Sequence, residues 1–276
     1  MELTNENYHS IEARSEYMGY SQFKDFLDCE KKGLARVKGE LEDESSPALL
    51  FGSYVDNYFS KEIPMEEFKA KHQEMFKKDG TFKSDFKNIE PVIAAIEGDK
   101  LLSKYLGGEH QVIMTGTIAG VKFKIKIDAY HRDKAIVDQK IMKDMSSVWV
   151  EVTDEDGEKR NVRMDFIKAW RYDLEGAIYQ EIERQWNVKH GGEDRKLPFI
   201  LAVTTKEDVP DKALIKIDQD ILDAALAEVV EKAPRFDAIK RGEIEPKGCG
   251  SCDVCRKGKM LTGVFSYKKL FHMEED

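Results

Sequence analysis

Val121-Lys122-Phe123-Lys124-Ile125-Lys126-Ile127-Asp128-Ala129-Tyr130, followed after His131-Arg132-Asp133-Lys134 by Ala135-Ile136-Val137-Asp138-Gln139-Lys140-Ile141-Met142, is the stretch whose reading decides the fold. From Val121 to Asp128 it alternates without exception: Val121, Phe123, Ile125 and Ile127 on one side, Lys122, Lys124, Lys126 and Asp128 on the other. A period of two is that of a half-buried β-strand. The polar tetrapeptide reads as a turn, and the Ile- and Val-rich segment behind it as the returning strand. In an antiparallel pair, an odd-length turn centred on Asp133 sets Asp128 directly opposite Asp138. Side chains so opposed have Cβ atoms about 4.5–5.5 Å apart. Lys140, two residues on, shares the face of Asp138.

Two carboxylates that close repel each other unless a cation lies between them or one keeps its proton. Mg²⁺ or Mn²⁺ takes oxygen ligands and retains several waters. Asp128 and Asp138, with the backbone carbonyl of Gln139, therefore form a candidate metal site. An ion held there activates a water and neutralises charge on a phosphorane-like transition state, which is the chemistry that cuts a phosphodiester. Lys140 is the candidate to orient that water, to help deprotonate it, or to stabilise the oxyanion. Lys122, Lys124 and Lys126 are candidates to attract a phosphate backbone. On spacing alone, the plainer reading is a solvated amphipathic hairpin whose charges pair across the sheet.

Outward from the hairpin, residues 21–39 and 48–74 read as helices, with Ser21 as the cap of the first and Ser45-Ser46-Pro47 as the linker. Residues 75–88 read as a loop whose Phe76, Phe82 and Phe86 either pack onto the core or stack on bases. Residues 89–106 read as helical after Pro91. The sheet begins at 111–117, with its first turn at Gly120. Residues 153–161 form a charged hairpin tip or insertion. Residues 165–186 form one long amphipathic helix with Phe166, Trp170, Leu174, Ala177, Ile178 and Ile182 on its apolar side. A buried strand at 199–204, another at 213–217 and a helix at 219–241 complete the pattern. It is α/β in class, a mixed sheet flanked by helices. The expected organisation is a single domain over 1–276: a helical part (1–110), a sheet and helix (111–217), and a C-terminal helix with a cysteine cluster (218–276).

The cysteines are Cys29, Cys249, Cys252 and Cys255. Four thiolates are the number needed for a tetrahedral Zn²⁺ site or a [4Fe–4S] cluster, and the residue pattern leaves both open. Gly248, Gly250 and Ser251 would let the backbone wrap tightly, and Arg256 and Lys257 would offset the negative charge. Such a site would join the N- and C-terminal segments. The net charge of −9 argues mildly against a nonspecific nucleic-acid coat, but a basic groove can sit in an acidic shell. No apolar run approaches the ~20 residues of a membrane span. The N-terminus shows no basic or apolar leader, so a cytoplasmic setting without membrane contact is expected.

At these residues the chain resembles the PD-(D/E)XK nuclease superfamily, and within it the phage exodeoxyribonuclease VIII-type, RecB-like branch. The resemblance begins with Tyr20 to Phe26 and Cys29-Glu30. It continues through Leu50-Phe51-Gly52-Ser53-Tyr54-Val55-Asp56, Ile127-Asp128 and Val137-Asp138-Gln139-Lys140, and ends with Tyr172-Asp173, Glu175 to Tyr179 and the cysteines. Asp56 stands where many relatives carry histidine, and Glu175 where RecB-type domains often carry glutamine, while Tyr179 remains. The resemblance implies a restriction-endonuclease-like core and a Mg²⁺- or Mn²⁺-dependent DNA exonuclease. Asp128, Asp138 and Lys140 would be catalytic, with Asp56 completing the shell and Glu175 and Tyr179 contacting substrate. It also implies duplex DNA with a free end as substrate, a single-strand annealing protein as partner, and a homo-oligomer. Some relatives carry an iron–sulfur cluster on one cysteine before the core and three after it. The rival readings are a non-catalytic DNA-binding or assembly module with a structural metal site, and a nuclease for single strands or RNA.

Overall fold

In the computed structural model, which describes residues 1–41, 46–153, 159–260, 263, 264, 266 and 267, the quoted stretch is the hairpin its alternation dictates. Helices α1 (Ile11–Glu16), α2 (Tyr20–Asp28), α3 (Glu30–Val37), α4 (Pro47–Ser60), α5 (Met65–Lys71), α6 (Ile89–Glu97) and α7 (Lys100–Leu106) come first. Strands β1 (Glu109–Ile118), β2 (Val121–His131) and β3 (Ala135–Met142) follow, then β4 (Val148–Thr153) and β5 (Lys159–Met164). The rest is α8 (Phe166–Trp170), α9 (Tyr172–Lys189), β6 (Phe199–Thr205), β7 (Lys212–Lys216), α10 (Gln219–Lys240) and α11 (Asp253–Lys257). The main sheet runs β1-β2-β3-β6-β7 and is mixed: β3 and β6 are parallel, the other pairs antiparallel, and β4-β5 stands apart.

The turn has the expected odd length. His131 pairs with Ala135, Tyr130 with Ile136 and Ala129 with Val137. Asp133 at the apex has φ 64°, a left-handed conformation that aspartate tolerates better than most residues. Beyond Ala129 and Val137 the two strands stop pairing, and β3 turns its hydrogen bonds toward β6, with Asp138 beside Leu201 and Lys140 beside Val203. The candidate acidic residues thus lie where a gap opens between β2 and β3.

Both faces of the sheet are covered. Leu174, Ile178 and Ile182 of α9 share one core with Phe123, Ile125, Ile127, Leu201 and Val203. Phe51 and Val55 of α4 and Ile89, Val92 and Ile96 of α6 share the other with Ala129, Val137, Ile200 and Ala202. Strand β6 is buried along its whole length, as a strand between two helical layers must be. One departure matters for the site. The core-facing alternation of Phe123, Ile125 and Ile127 resumes at Tyr130 and not at Ala129, a slip of one residue around Asp128. Opposite the slip, Gln111 has φ 55°.

Three expected helices are each two. The 21–39 helix breaks at Cys29, which is extended at φ −166°, and its cap position is Gly19, so Ser21 lies inside α2. The 48–74 helix breaks between Lys61 and Pro64. Proline disfavours helical backbone in the residue before it, and Asn57 closes the turn by bonding both Ile63 N–H (3.0 Å) and Ile63 C=O (3.1 Å). The 165–186 helix breaks at Arg171, left-handed at φ 60°, and Trp170 is 44% exposed instead of lying on the apolar side. Residues 89–106 likewise divide at Asp99, which caps α7, while Pro91 sits in the first turn of α6, where its missing N–H has no helical partner to lose. The sheet starts at Glu109, two residues before 111–117. In the 75–88 loop, Phe86 is buried and Phe76 stacks on Phe82, so the rings join the core. Ser45 and the tip residues 154–158 lie outside the described residues.

Candidate active site

Four elements bring charged side chains to the gap between β2 and β3. Asp128 comes from β2, Asp138 and Lys140 from β3, Asp56 from α4, and Glu175 from α9. Lys140 Nζ lies 2.6 Å from Asp138 Oδ2 and 3.0 Å from Glu175 Oε2, and 5.0 Å from the centre of the Tyr172 ring. The Gln139 backbone N–H donates to Asp128 Oδ2 at 2.8 Å. Gln111 Nε2 donates to both oxygens of Asp56 at 3.1 Å. The slip in β2 and the left-handed Gln111 face each other here, so the local backbone irregularity belongs to the site.

The electrostatics are those of too many buried acids. Burial, with repulsion from Asp138 and Asp56, holds the Asp128 carboxyl well above the usual range. Burial and Asp138 push Glu175 up to about 7. Burial and Glu62 push Asp56 up to about 6. For Lys140, burial pulls downward, but the carboxylates of Asp138, Glu175 and Asp128 outweigh it and hold the ammonium well above its ordinary pKa. Asp138 Oδ2 and Glu175 Oε2 are buried without a hydrogen bond of good geometry. The proximity of Lys140 is their compensation. A divalent cation bound to oxygen would relieve the same excess of negative charge, so the donor set fits Mg²⁺ or Mn²⁺.

The remaining expected residues take varied places. Tyr179 is buried, and its hydroxyl donates to the Lys126 carbonyl at 3.1 Å, joining α9 to β2. Lys124 is buried, donates to the Tyr8 carbonyl, and lies 4.4 Å from the Tyr8 ring centre. Lys126 pairs with Glu62 at 2.7 Å and Lys122 with Glu16 at 2.9 Å. Lys124, Lys126, Asp128, Asp56, Glu175 and Tyr179 line one cleft of about 820 Å³; Lys122 does not. Sequence reasoning passed over Gln111, Tyr172 and Tyr8. Tyr172 was legible as part of the motif run, whereas neither Gln111 nor Tyr8 carries a local signal.

The four thiols converge on one point, all within 4.8 Å of one another. Cys29 Sγ is 3.6 Å from Cys255 Sγ and 3.7 Å from Cys252 Sγ, and Cys249 Sγ is 4.0 Å from Cys255 Sγ. The break between α2 and α3 aims Cys29 at the loop. The Ser251 hydroxyl and the Cys252 backbone N–H both donate to Cys249 Sγ and pull its pKa down to about 5. Gly248 permits the closure, because a Cβ there would stand 2.9 Å from Cys255 Sγ. Glu30 adds a second tie, accepting from Arg235 at 2.7 Å and from the Lys247 N–H at 2.6 Å. Four thiolates so close can hold a metal.

A strand-borne Asp, Asp and Lys set at the diverging edge of a mixed sheet, closed by acids from flanking helices, defines a nuclease-like domain of the PD-(D/E)XK class. Residues 19–258 match the PDDEXK-like domain of unknown function (DUF3799), and the chain belongs to that family. Among solved structures, a protein from Eubacterium rectale named "Putative exonuclease" is similar to it at 42% sequence identity, with a TM-score of 0.86 over 98% of each chain. No curated protein matches.

Proposed function

We propose that this chain is a divalent-metal-dependent deoxyribonuclease that removes nucleotides from DNA ends. The observation that carries the reading is Lys140 held between Asp138 and Glu175, with Asp128 across the strand gap. Asp128, Asp138 and the Gln139 carbonyl would hold Mg²⁺ or Mn²⁺, and Asp56 would complete the shell from α4. The ion supplies an activated water and neutralises charge at phosphorus. With its pKa raised by its acidic neighbours, Lys140 stays an ammonium, so its role is to stabilise the oxyanion and not to take a proton. Glu175 positions that ammonium. Lys124 and Lys126 line the same cleft and are suited to adjacent phosphates once their internal acceptors are displaced. The E. rectale protein's name supports an exonuclease. The branch resemblance extends the reading to duplex ends, a single-strand annealing partner, a homo-oligomer and a phage-type recombination role in the cytoplasm. Among the described residues, no helix is long and apolar enough to cross a membrane.

For the cysteine centre we propose zinc. A single Zn²⁺ with Zn–S bonds of about 2.3 Å sets its thiolates about 3.8 Å apart, against 3.6, 3.7 and 4.0 Å for the three pairs. A four-iron cubane would stand between the thiolates and spread them farther. Elemental analysis should find one zinc per chain and no iron; stoichiometric iron with visible absorption would reverse the assignment.

The activity is tested with purified protein, end-labelled linear duplex and covalently closed circular DNA, in Mg²⁺ or chelator. Wild type should shorten only the linear DNA, only with Mg²⁺. Asp138→Ala should retain its fold, because Lys140 keeps Glu175 as partner, and should not cleave. Cleavage of circles would make the enzyme an endonuclease. Full activity of Asp138→Ala would remove the mechanism.

A further inference from the structure

Trp170 is the last residue of α8 and is 44% exposed. Arg171 after it is left-handed, at φ 60° and ψ 37°, a conformation that residues other than glycine rarely adopt. Ion pairs from Arg171 to Asp173 and Glu228 hold that break. Its consequence is a division of two neighbouring rings. Tyr172, beyond the break, lies beside the Lys140 ammonium in the catalytic centre. Trp170, before it, keeps its indole at the surface.

The position of Trp170 is fastened from the cleft wall. Its carbonyl accepts the Tyr20 hydroxyl at 2.7 Å and the Lys24 ammonium at 3.2 Å. Tyr20 lines the cleft that also holds Asp128 and Glu175. The Lys24 ammonium stands 5.5 Å from the centre of the indole. The result is a large aromatic face with a cation at its side, fixed at the cleft margin by two residues of one helix and two positions from a ring that touches the catalytic lysine. Packing gives no reason to leave this indole open. A nucleic acid does, because every base has a π-face and every nucleotide a phosphate, so an aromatic ring beside a cation grips strands irrespective of sequence.

We propose that Trp170 and Lys24 form a nucleotide subsite in which one unpaired base of the substrate strand stacks on the indole while Lys24 meets the adjoining phosphate. The subsite rests on the DNA-cleaving reading above and deepens it. A base inside a duplex is covered on both faces, so the occupant is an unpaired or terminal nucleotide. The strand therefore enters the catalytic cleft single, whatever the form of the DNA behind it.

The test uses labelled single-stranded oligonucleotides, intact or with one abasic site stepped along the chain. Their binding is measured with Ca²⁺ in place of Mg²⁺, and their cleavage with Mg²⁺. The proteins are wild type, Trp170→Leu and Trp170→Tyr. Wild type should lose about tenfold in affinity when the abasic site reaches one position. Trp170→Leu should show the same loss on intact DNA, no further loss at that position, and an unchanged melting temperature; Trp170→Tyr should recover most of the affinity. Two results overturn the subsite: intact DNA bound by Trp170→Leu as tightly as by wild type, or an abasic penalty that persists in Trp170→Leu. A self-association of wild type that Trp170→Leu abolishes, without any change in DNA binding, also overturns it and gives the indole to a second copy of the chain. Binding with the full abasic pattern but no cleavage would sink the nuclease reading and keep the subsite; no DNA binding at all would remove both.

Discussion

Replacing Cys29 with serine should cost the protein much of its thermal stability without emptying the cysteine centre. Cys249, Cys252 and Cys255 belong to one short segment, so three thiolates can keep a metal on their own, but only Cys29 ties that segment to α2 and α3. The tie closes a loop spanning 220 residues from Cys29 to Cys249. In the chain-entropy treatment of cross-links, a loop of that length contributes about 5 kcal/mol by restricting the unfolded chain. Glu30 holds the same two segments through Arg235 and the Lys247 N–H, and its contacts would absorb part of the loss. A net destabilisation of about 3–4 kcal/mol remains, which for a chain of this size lowers the melting temperature by roughly 6–16 °C. The assay is thermal unfolding of wild type and Cys29→Ser, with metal content measured on the same samples and a chelator series on wild type. Chelated wild type should fall to the level of the variant. A Cys29→Ser protein that keeps its metal and melts within about 2 °C of wild type would refute the reasoning, because the cross-link would then carry no stability.

Glu175, raised to about 7, and Asp56, raised to about 6, lie above the ordinary carboxylate values of roughly 4. The folded protein therefore holds more protons than the unfolded chain from about pH 4 to 7. Stability is greatest below that window and falls as pH rises through it, by on the order of 3 kcal/mol for Glu175 alone. Urea unfolding in chelator at pH 5 and pH 8 should show the drop, Glu175→Gln should reduce it, and Mg²⁺ should restore stability at pH 8; an equal slope in Glu175→Gln contradicts the assignment. Gln111→Ala removes both hydrogen bonds to Asp56 and, as an outer partner of a ligand, should weaken Mg²⁺ binding roughly 10–100-fold. The Mg²⁺ concentration needed for half-maximal cleavage reports this directly, and an unchanged value would mean that Asp56 does not touch the ion.

The hairpin was legible because its information is local. A period of two fixes which residues face the core, and the parity of a turn fixes which carboxylates oppose one another, so Asp128, Asp138 and Lys140 could be set on one patch from the sequence. The helix breaks were not legible. At Cys29 and Arg171 the apolar pattern runs on through the interruption, and what stops the helix is a distant requirement: a thiol aimed at the loop of residues 249–255 in one case, ion pairs to Asp173 and Glu228 in the other. Lys122, Lys124 and Lys126 could be placed on a strand face, but their partners Glu16, Tyr8 and Glu62 come from segments far away in the chain. Gln111 reaches Asp56 only because its backbone turns left-handed opposite the slip in β2. Nothing in the string around Gln111 announces that turn.

The cysteine centre and the candidate active site are joined by one helix. α2 begins at Tyr20, on the cleft wall, and ends at Asp28, next to Cys29. Its nine residues span about 13 Å. Between its ends, Asp25 receives both of its hydrogen bonds from Arg36 of α3, and Phe23 and Phe26 pack on Phe236 of α10. A helix pinned along its length moves as a rod, so release of Cys29 at one end should shift Tyr20 and Lys24 near the other, and with them the carbonyl of Trp170. Asp128, Asp138 and Lys140 are set by β2 and β3 and owe nothing to that rod. Loss of the thiolate tie should therefore weaken DNA binding several-fold, measured below the melting temperature of the variant, while the rate of cleavage at saturating DNA stays near that of wild type. A fall in the saturated rate with binding intact would show that the cysteine centre acts on the sheet itself and that α2 is not the link.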